Sequence, residues 1–379
     1  MAIFKLTEEL IMENKTNQSI KGDKNVQQQV NTQVNNYYLT GVTKEEAESI
    51  AKTQAEQIAT YYFEQSQNLA MQRMNEFSEK MMNVFIRCHQ SLDVFSDPSF
   101  VYQFREAQLN AAQTGRENDY DLLTQLLLRR CQKRNIKYIQ TGISGAIKII
   151  NEVSDDSLIA LTILMCVMQI TPLSTDVDVG LKTLDNLYES IIQNIKLPTD
   201  YSWFDQLDVL KAIRINTLSS FKKFDDLMLQ KLAGYAEVGI EIDTPQYKEA
   251  LQIENDFHFT LHKTNHFMSN YIVIPYSEED YENITIQKSN NESFYLKQFV
   301  SKENYVSTLT KLRNLYVKDD VLEKKIKDEF IKKLNSYETI SKVREWWNQL
   351  PHHCEITSIG KALAHAYAQN LVPDFPPLD

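Results

Sequence analysis

The sequence predicts a mainly α-helical chain with one short β-strand near its N-terminus, on three observations. Apolar residues recur at steps of three and four over most of the chain. Gly and Pro number only nine each in 379 residues, so helix-breaking positions are sparse. One stretch alone, residues 25–38, alternates apolar and polar with a period of two. The elements in order are an oligomerisation strand within 1–42, a long amphipathic helix over 43–97, a multi-helix domain over 98–243 and a C-terminal α/β domain over 244–379.

The strand is read from parity. Ile20, Val26, Val30, Thr32, Val34 and Tyr38 stand at even positions, whereas Ser, Lys, Asp, Asn and Gln fill the odd positions from Ser19 to Asn35. An extended chain then carries all its apolar groups on one face. A solitary strand satisfies neither its backbone groups nor its apolar face. The same strand from sister chains supplies the missing partner, with Val26, Val30, Thr32, Val34 and Tyr38 as oligomerisation contacts. The competing reading of so Gln/Asn-rich a tract is a polar tail.

The long helix begins at a capping box, Thr43 followed three residues later by Glu46. No Pro or Gly then occurs until Pro98, which sets an expected span of about 44–95. A stripe through Ala47, Ala51, Ala55, Ile58, Tyr62, Leu69, Phe77, Met81, Val84 and Cys88 marks one face. Ile58, Tyr62 and Leu69 join the strand residues as predicted self-association contacts. The spacing runs closer to eleven than to seven, so any coiled coil is slack or right-handed.

Beyond Pro98 the pattern predicts helices over 103–112, 120–133, 142–153, 157–169 and 177–194, and one or two more within 201–235. Asp155 or Asp156 is the expected cap of the most apolar run, Leu158–Met168. A run of eleven residues falls short of the roughly twenty that span a bilayer, so a core helix is expected and no membrane span. Thr244-Pro245 reads as N-cap and first helical residue. Tyr271–Tyr276 and Asn283–Gln287 are β-prone, and helices return over 302–317 and 319–335.

Composition narrows the function. With 51 acidic and 40 basic residues the net charge is −11, which disfavours non-specific nucleic-acid binding. Four scattered cysteines, Cys88, Cys131, Cys166 and Cys354, read as buried thiols of a reducing compartment. Met1–Met12 carries Lys5, Glu8 and Glu9 with no apolar block behind it, so a cytoplasmic protein is expected. Phosphate-loop, dinucleotide and nucleophile-elbow signatures are missing from the sequence. No cofactor is expected apart from one metal-ion candidate. His258, His262 and His266 are spaced by four, and a helix from Pro245 would set them on one face. Phe259 stands where a zincin helix has Glu, so that chemistry is excluded. The bland reading is three structural histidines among Phe257, Phe259 and Phe267. Arg129, Arg130, Lys133 and Arg134 form a local basic cluster that reads first as a solvated helix end placed at the negative end of the dipole, with a nucleic-acid contact as the minority reading. Trp346-Trp347 reads as core, and Asp225-Asp226 and Asp319-Asp320 as helix caps.

Near the C-terminus, Glu355-Ile356-Thr357-Ser358-Ile359-Gly360-Lys361-Ala362-Leu363-Ala364 resembles the strand-turn-helix ending of winged-helix domains. The layout as a whole resembles uncharacterised bacterial proteins with a Gln/Asn-rich N-terminal strand, some similar to abortive-infection proteins. That resemblance implies a role against phage and supplies no catalytic residues. The expected function is a homo-oligomeric scaffold that recruits a protein partner. The alternatives are a nucleic-acid-binding regulator using the winged-helix-like end, with Lys324, Lys325, Lys327, Lys332 and Lys333 as its positive face, and a defence effector enzyme whose site forms only in the fold.

Overall fold

The computed structural model describes residues 43–88, 92–133, 136–287 and 293–376. The fold is mainly α: thirteen α-helices and seven short strands lie among the described residues. The expected strand over 25–38 falls outside them. The chain divides into two compact units, the first running to Thr124 and the second from Gln125.

The first unit is built on α1 (Lys44–Arg87), about 66 Å long at 1.5 Å per residue. Its start is the expected capping box. The Glu46 N–H donates to the Thr43 hydroxyl at 3.2 Å and the Thr43 N–H donates back to the Glu46 carboxylate at 3.0 Å. The helix stops at Cys88, earlier than expected, because the chain doubles back through a 3₁₀ turn (Leu92–Ser96) that buries Val94. Asp97 then caps α2 (Pro98–Gln113), with Pro98 at the first helical position, where its missing N–H costs nothing. The two helices run antiparallel. Phe85 meets Phe100 at 6.1 Å, Phe77 meets Phe104 at 6.2 Å, and Gln108 donates to Ser78 at 2.9 Å. At the far end of α2 the Arg73 guanidinium donates to the Ala112 carbonyl at 3.2 Å, a cation at a helix C-terminus. Tyr120, in the first turns of α3 (Glu117–Gln132), closes the cluster on Phe77.

The second unit packs around α5 (Asp155–Gln169), buried at every residue from Ser157 to Val167. Its cap is Ser154, whose hydroxyl accepts the Ser157 N–H at 3.2 Å. The expected caps, Asp155 and Asp156, occupy the first turn instead, where their charge still complements the dipole. Against α5 and α4 (Lys137–Ile149) lies α13 (Ser358–Leu371). Gly142 permits the closest approach: a Cβ there would sit 2.4 Å from the Ser358 carbonyl oxygen. Thr357 caps α13 by accepting the Gly360 N–H, as the local motif predicts. Preceding it, β7 (His353–Ile356) pairs antiparallel with β1 (Ile213–Asn216), Ile213 opposite Ile356. The helices expected within 201–235 are interrupted by this strand. Helix α7 (Ser202–Val209) ends early, and the strand forms on a partner some 140 residues downstream.

Next to α6 (Val177–Ile192) stands α12 (Glu338–Trp347). Its own N-cap, Tyr337, offers no side-chain bond. Asp185 of α6 caps it from outside, accepting the Thr339 and Ile340 N–H groups at 3.0 and 3.2 Å. Trp346 and Trp347 are core residues; their indole N–H groups donate to the Pro198 and Lys222 carbonyls. Asp225, in the first turn of α8 (Phe224–Lys231), is held bidentate by Arg344 at 2.6 and 2.7 Å. Asp319 caps α11 (Asp320–Leu334) as expected.

A smaller core around Ile240, Phe257, Ile272, Ile274 and Tyr305 joins α9 (Pro245–Phe257) to α10 (Lys302–Arg313). Beside it the strands β2 (Ile240–Glu241), β4 (Tyr271–Val273) and β3 (Lys263–Thr264) form one antiparallel sheet in that order. Gly239 enters β2 at φ +89°, a left-handed position that glycine alone takes without strain. The β-prone run 283–287 pairs not with 271–276 but with Ser293–Tyr295.

Candidate functional site

Among the described residues, one face of α1 is covered by its own unit only in part. Phe77, Met81 and Phe85 are buried under α2. Met81 stands eighteen residues after Phe63, about five whole turns, so the two share one face. Read backwards from Phe85, that face continues through Met74, Ala70, Phe63 and Ala59. The cover ends at Arg73, where α2 ends. Past that level Phe63 and the adjoining Met71 are each 63% exposed. Of the four buried residues of α1, only Ile58 lies before Phe77.

The stripe expected from the sequence meets a mixed outcome. Ile58 is buried, Tyr62 half-buried and Leu69 46% exposed. Phe63 and Met71 were not in that stripe. Counting from the N-terminus drifts around the helix toward Leu69, whereas counting back from the Phe77–Phe85 cluster finds Phe63. The remaining predicted contacts, Val26, Val30, Thr32, Val34 and Tyr38, lie outside the described residues.

The histidine row does not form. Helix α9 ends at Phe257, and His258 takes a left-handed cap at φ +64°. The buried Glu254 organises the turn that follows. Its Oε1 accepts the Leu261 and His262 N–H groups at 2.7 and 2.8 Å, and its Oε2 meets His262 Nδ1 at 2.5 Å. His266 lies apart, 3.9 Å from Asp178. With the helix ended, a spacing of four no longer places the rings on one face. No group of three His, Cys, Asp or Glu side chains among the described residues could hold a metal ion. His353 and Cys354 sit on a strand, where neighbours point to opposite faces.

The basic cluster is also dispersed. Arg129 is buried against His365 of α13, with Nη1 3.1 Å from Nδ1. Arg130 donates to Ser144 at 3.2 Å, and Arg134 lies outside the described residues. Because α3 is apolar on several sides, adjacent arginines on it cannot share one surface. His365 Nε2 donates to the Pro376 carbonyl at 2.8 Å, which leaves Nδ1 as the acceptor for Arg129. Burial first, and the Arg129 charge second, bring the His365 pKa down to about 4. Helix α13 is buried from Ala362 to Ala368 and cannot enter a nucleic-acid groove as it stands. Lys327, Lys332 and Lys333 meet Glu323, Glu329 and Asp178.

One shallow cleft of about 80 Å³ opens beside the start of α6, lined by Asp176, Tyr235, Lys263, His266 and others. Its one acid, Asp176, is already engaged, capping α6 through the Val179 N–H at 2.9 Å. Asp178, outside the lining, is held below the usual carboxylate range by the Lys333 ammonium. Burial pushes the Cys166 and Cys354 thiols up to about 12, which leaves them unreactive. Cys88, expected among the buried thiols, is exposed. No described helix is long and apolar enough to cross a membrane.

A protein-family model whose description reads ":-like" matches residues 41–378. No curated protein and no solved structure matches the chain.

Proposed function

The chain belongs to the family described as ":-like", whose model covers residues 41–378, and we propose that it acts as a homo-oligomeric scaffold that gathers copies of itself and recruits a protein partner. The observation that carries this reading is the face of α1 left bare beyond the end of α2, with Phe63 and Met71 each 63% exposed. Burying such a side chain contributes about 1.5–3 kcal/mol. Ile58 is the one fully buried side chain in the first 33 of this helix's 44 residues.

The alternating segment 25–38 directly precedes this helix and adds a second self-contact in the same reading. Copies joined at their N-terminal ends present the second unit repeatedly, which suits recruitment of a partner. A role in anti-phage defence follows from the resemblance of the layout alone and is proposed on that ground. Light scattering on the full chain tests the reading. A mass at a whole multiple of 44.1 kDa, lowered when residues 1–42 are removed, supports it. A mass of 44.1 kDa at every concentration removes it.

A further inference from the structure

We infer that the tail beyond α13, residues 372–376, is a latch that closes over His365 and that acid opens. The inference does not depend on self-association through α1.

The tail is tied down at named points. Helix α13 ends at Leu371, and the Val372 N–H donates to the Ala368 carbonyl at 2.8 Å. The Phe375 N–H then donates to the Val372 carbonyl at 2.9 Å. Phe375 is buried, while its neighbours Asp374 and Pro376 are exposed. The Phe375 ring stands edge-on to the His365 imidazole with centroids 5.4 Å apart. The Pro376 carbonyl accepts the His365 Nε2–H at 2.8 Å. Under this cover the His365 side chain is shut off from water.

The closed ring has no place for a second proton. Arg129 Nη1 lies 3.1 Å from Nδ1 and 3.3 Å from Nε2. A guanidinium carries donors only, so a proton on Nδ1 would end that hydrogen bond and set two cations together away from water. Among the described residues, Arg129 is the charged group that acts on the ring. Lys137 and Lys148 of α4, Asp155 and Asp156 of α5, Glu355 of β7 and Asp374 of the tail are exposed, and Asp185 of α6 is turned to α12.

The two covers differ in how firmly they are held. Arg129 belongs to a helix of the unit's interior, whereas the tail is the end of the chain and carries neither helix nor strand. Lifting Phe375 and Pro376 is therefore the least disruptive way to hydrate a charged ring. Closed, burial and then Arg129 bring the His365 pKa down to about 4; open to water, the ring returns toward its ordinary 6.5. Proton and closed tail exclude one another, and each weakens the other by the same factor. Closure is strongest above about pH 6.5 and is lost as pH falls toward 4. Between pH 7 and pH 5 the opening constant rises about twentyfold.

Hydrogen exchange at the Phe375 amide of the full chain reads that constant. Its protection, corrected for intrinsic exchange, should lie below that of α5 and fall about twentyfold from pH 7 to pH 5. In His365→Gln it should change little over the same range. Phe375→Ala thins the cover, and the His365 titration followed by NMR should move up from about 4 toward 6.5. Protection that does not fall with acid, an equal fall in His365→Gln, or one common protection factor for Phe375 and α5 overturns the latch. So does a His365 titration that stays near 4 in Phe375→Ala.

Discussion

Acid should loosen the second unit through one side chain, His365. Its ring is 1% exposed, accepts from Arg129 on one nitrogen and donates to the Pro376 carbonyl with the other. Protonation would place a second cation against Arg129 in the interior. Its pKa falls from 6.5 to about 4. Between those values the unfolded chain binds a proton that the folded chain refuses, so stability is full above about pH 6.5 and drains as pH falls toward 4. At 1.36 kcal/mol per pH unit the full loss is about 3 kcal/mol, of which about 2 is reached by pH 5. The three tryptophans, Trp203, Trp346 and Trp347, all lie in the second unit, so their fluorescence during urea unfolding follows that unit alone. Other groups titrate in the same range, so the comparison that matters is wild type against His365→Gln, which keeps a donor for Pro376. The variant is less stable at pH 7 and loses about 2 kcal/mol less than wild type between pH 7 and pH 5. Equal losses in both proteins, or an NMR titration of His365 centred near 6.5, would refute the reasoning.

Three further outcomes follow from the same geometry. Gly239→Ala places a Cβ 1.9 Å from the Ile272 carbonyl at φ +89°, and a loss of at least about 1–3 kcal/mol is expected in thermal unfolding. Asp185→Ala strips the cap from α12 and costs about 1–2 kcal/mol; hydrogen exchange should show Thr339 and Ile340 unprotected while α5 keeps its protection. Chelation with EDTA should leave the melting temperature unchanged, since Glu254 rather than a metal orders the turn carrying His262; a drop of several degrees would point to a bound ion.

Local signals proved the most legible. The Thr43–Glu46 box, Thr244 before Pro245, Asp319 and Thr357 each cap the helix they precede, because a cap is settled within four residues. The core role of Leu158–Val167 was equally plain, since a run with no polar face has nowhere else to go. What distance decides was not legible. Strand β1 exists because β7 arrives from far along the chain, and four residues carry too short a pattern to announce it. The histidine row failed because Glu254, four residues before it, turns inward and captures the next loop. The position of Phe63 on the open face required knowing that α2 folds back and stops at Arg73. Periodicity marks several apolar stripes on α1 and does not say which one its own chain covers.

The central claim is that α1 holds copies of the chain together through the face beyond α2. The direct measurement is the light-scattering mass of the full chain beside that of Phe63→Glu/Met71→Glu, with circular dichroism showing the helix retained. Removing two buried apolar side chains per copy is worth about 3–6 kcal/mol, a hundredfold or more in dissociation constant, so the variant should fall to a lower mass at the same concentration. An unchanged multimer in the variant, with helix content preserved, would contradict the account.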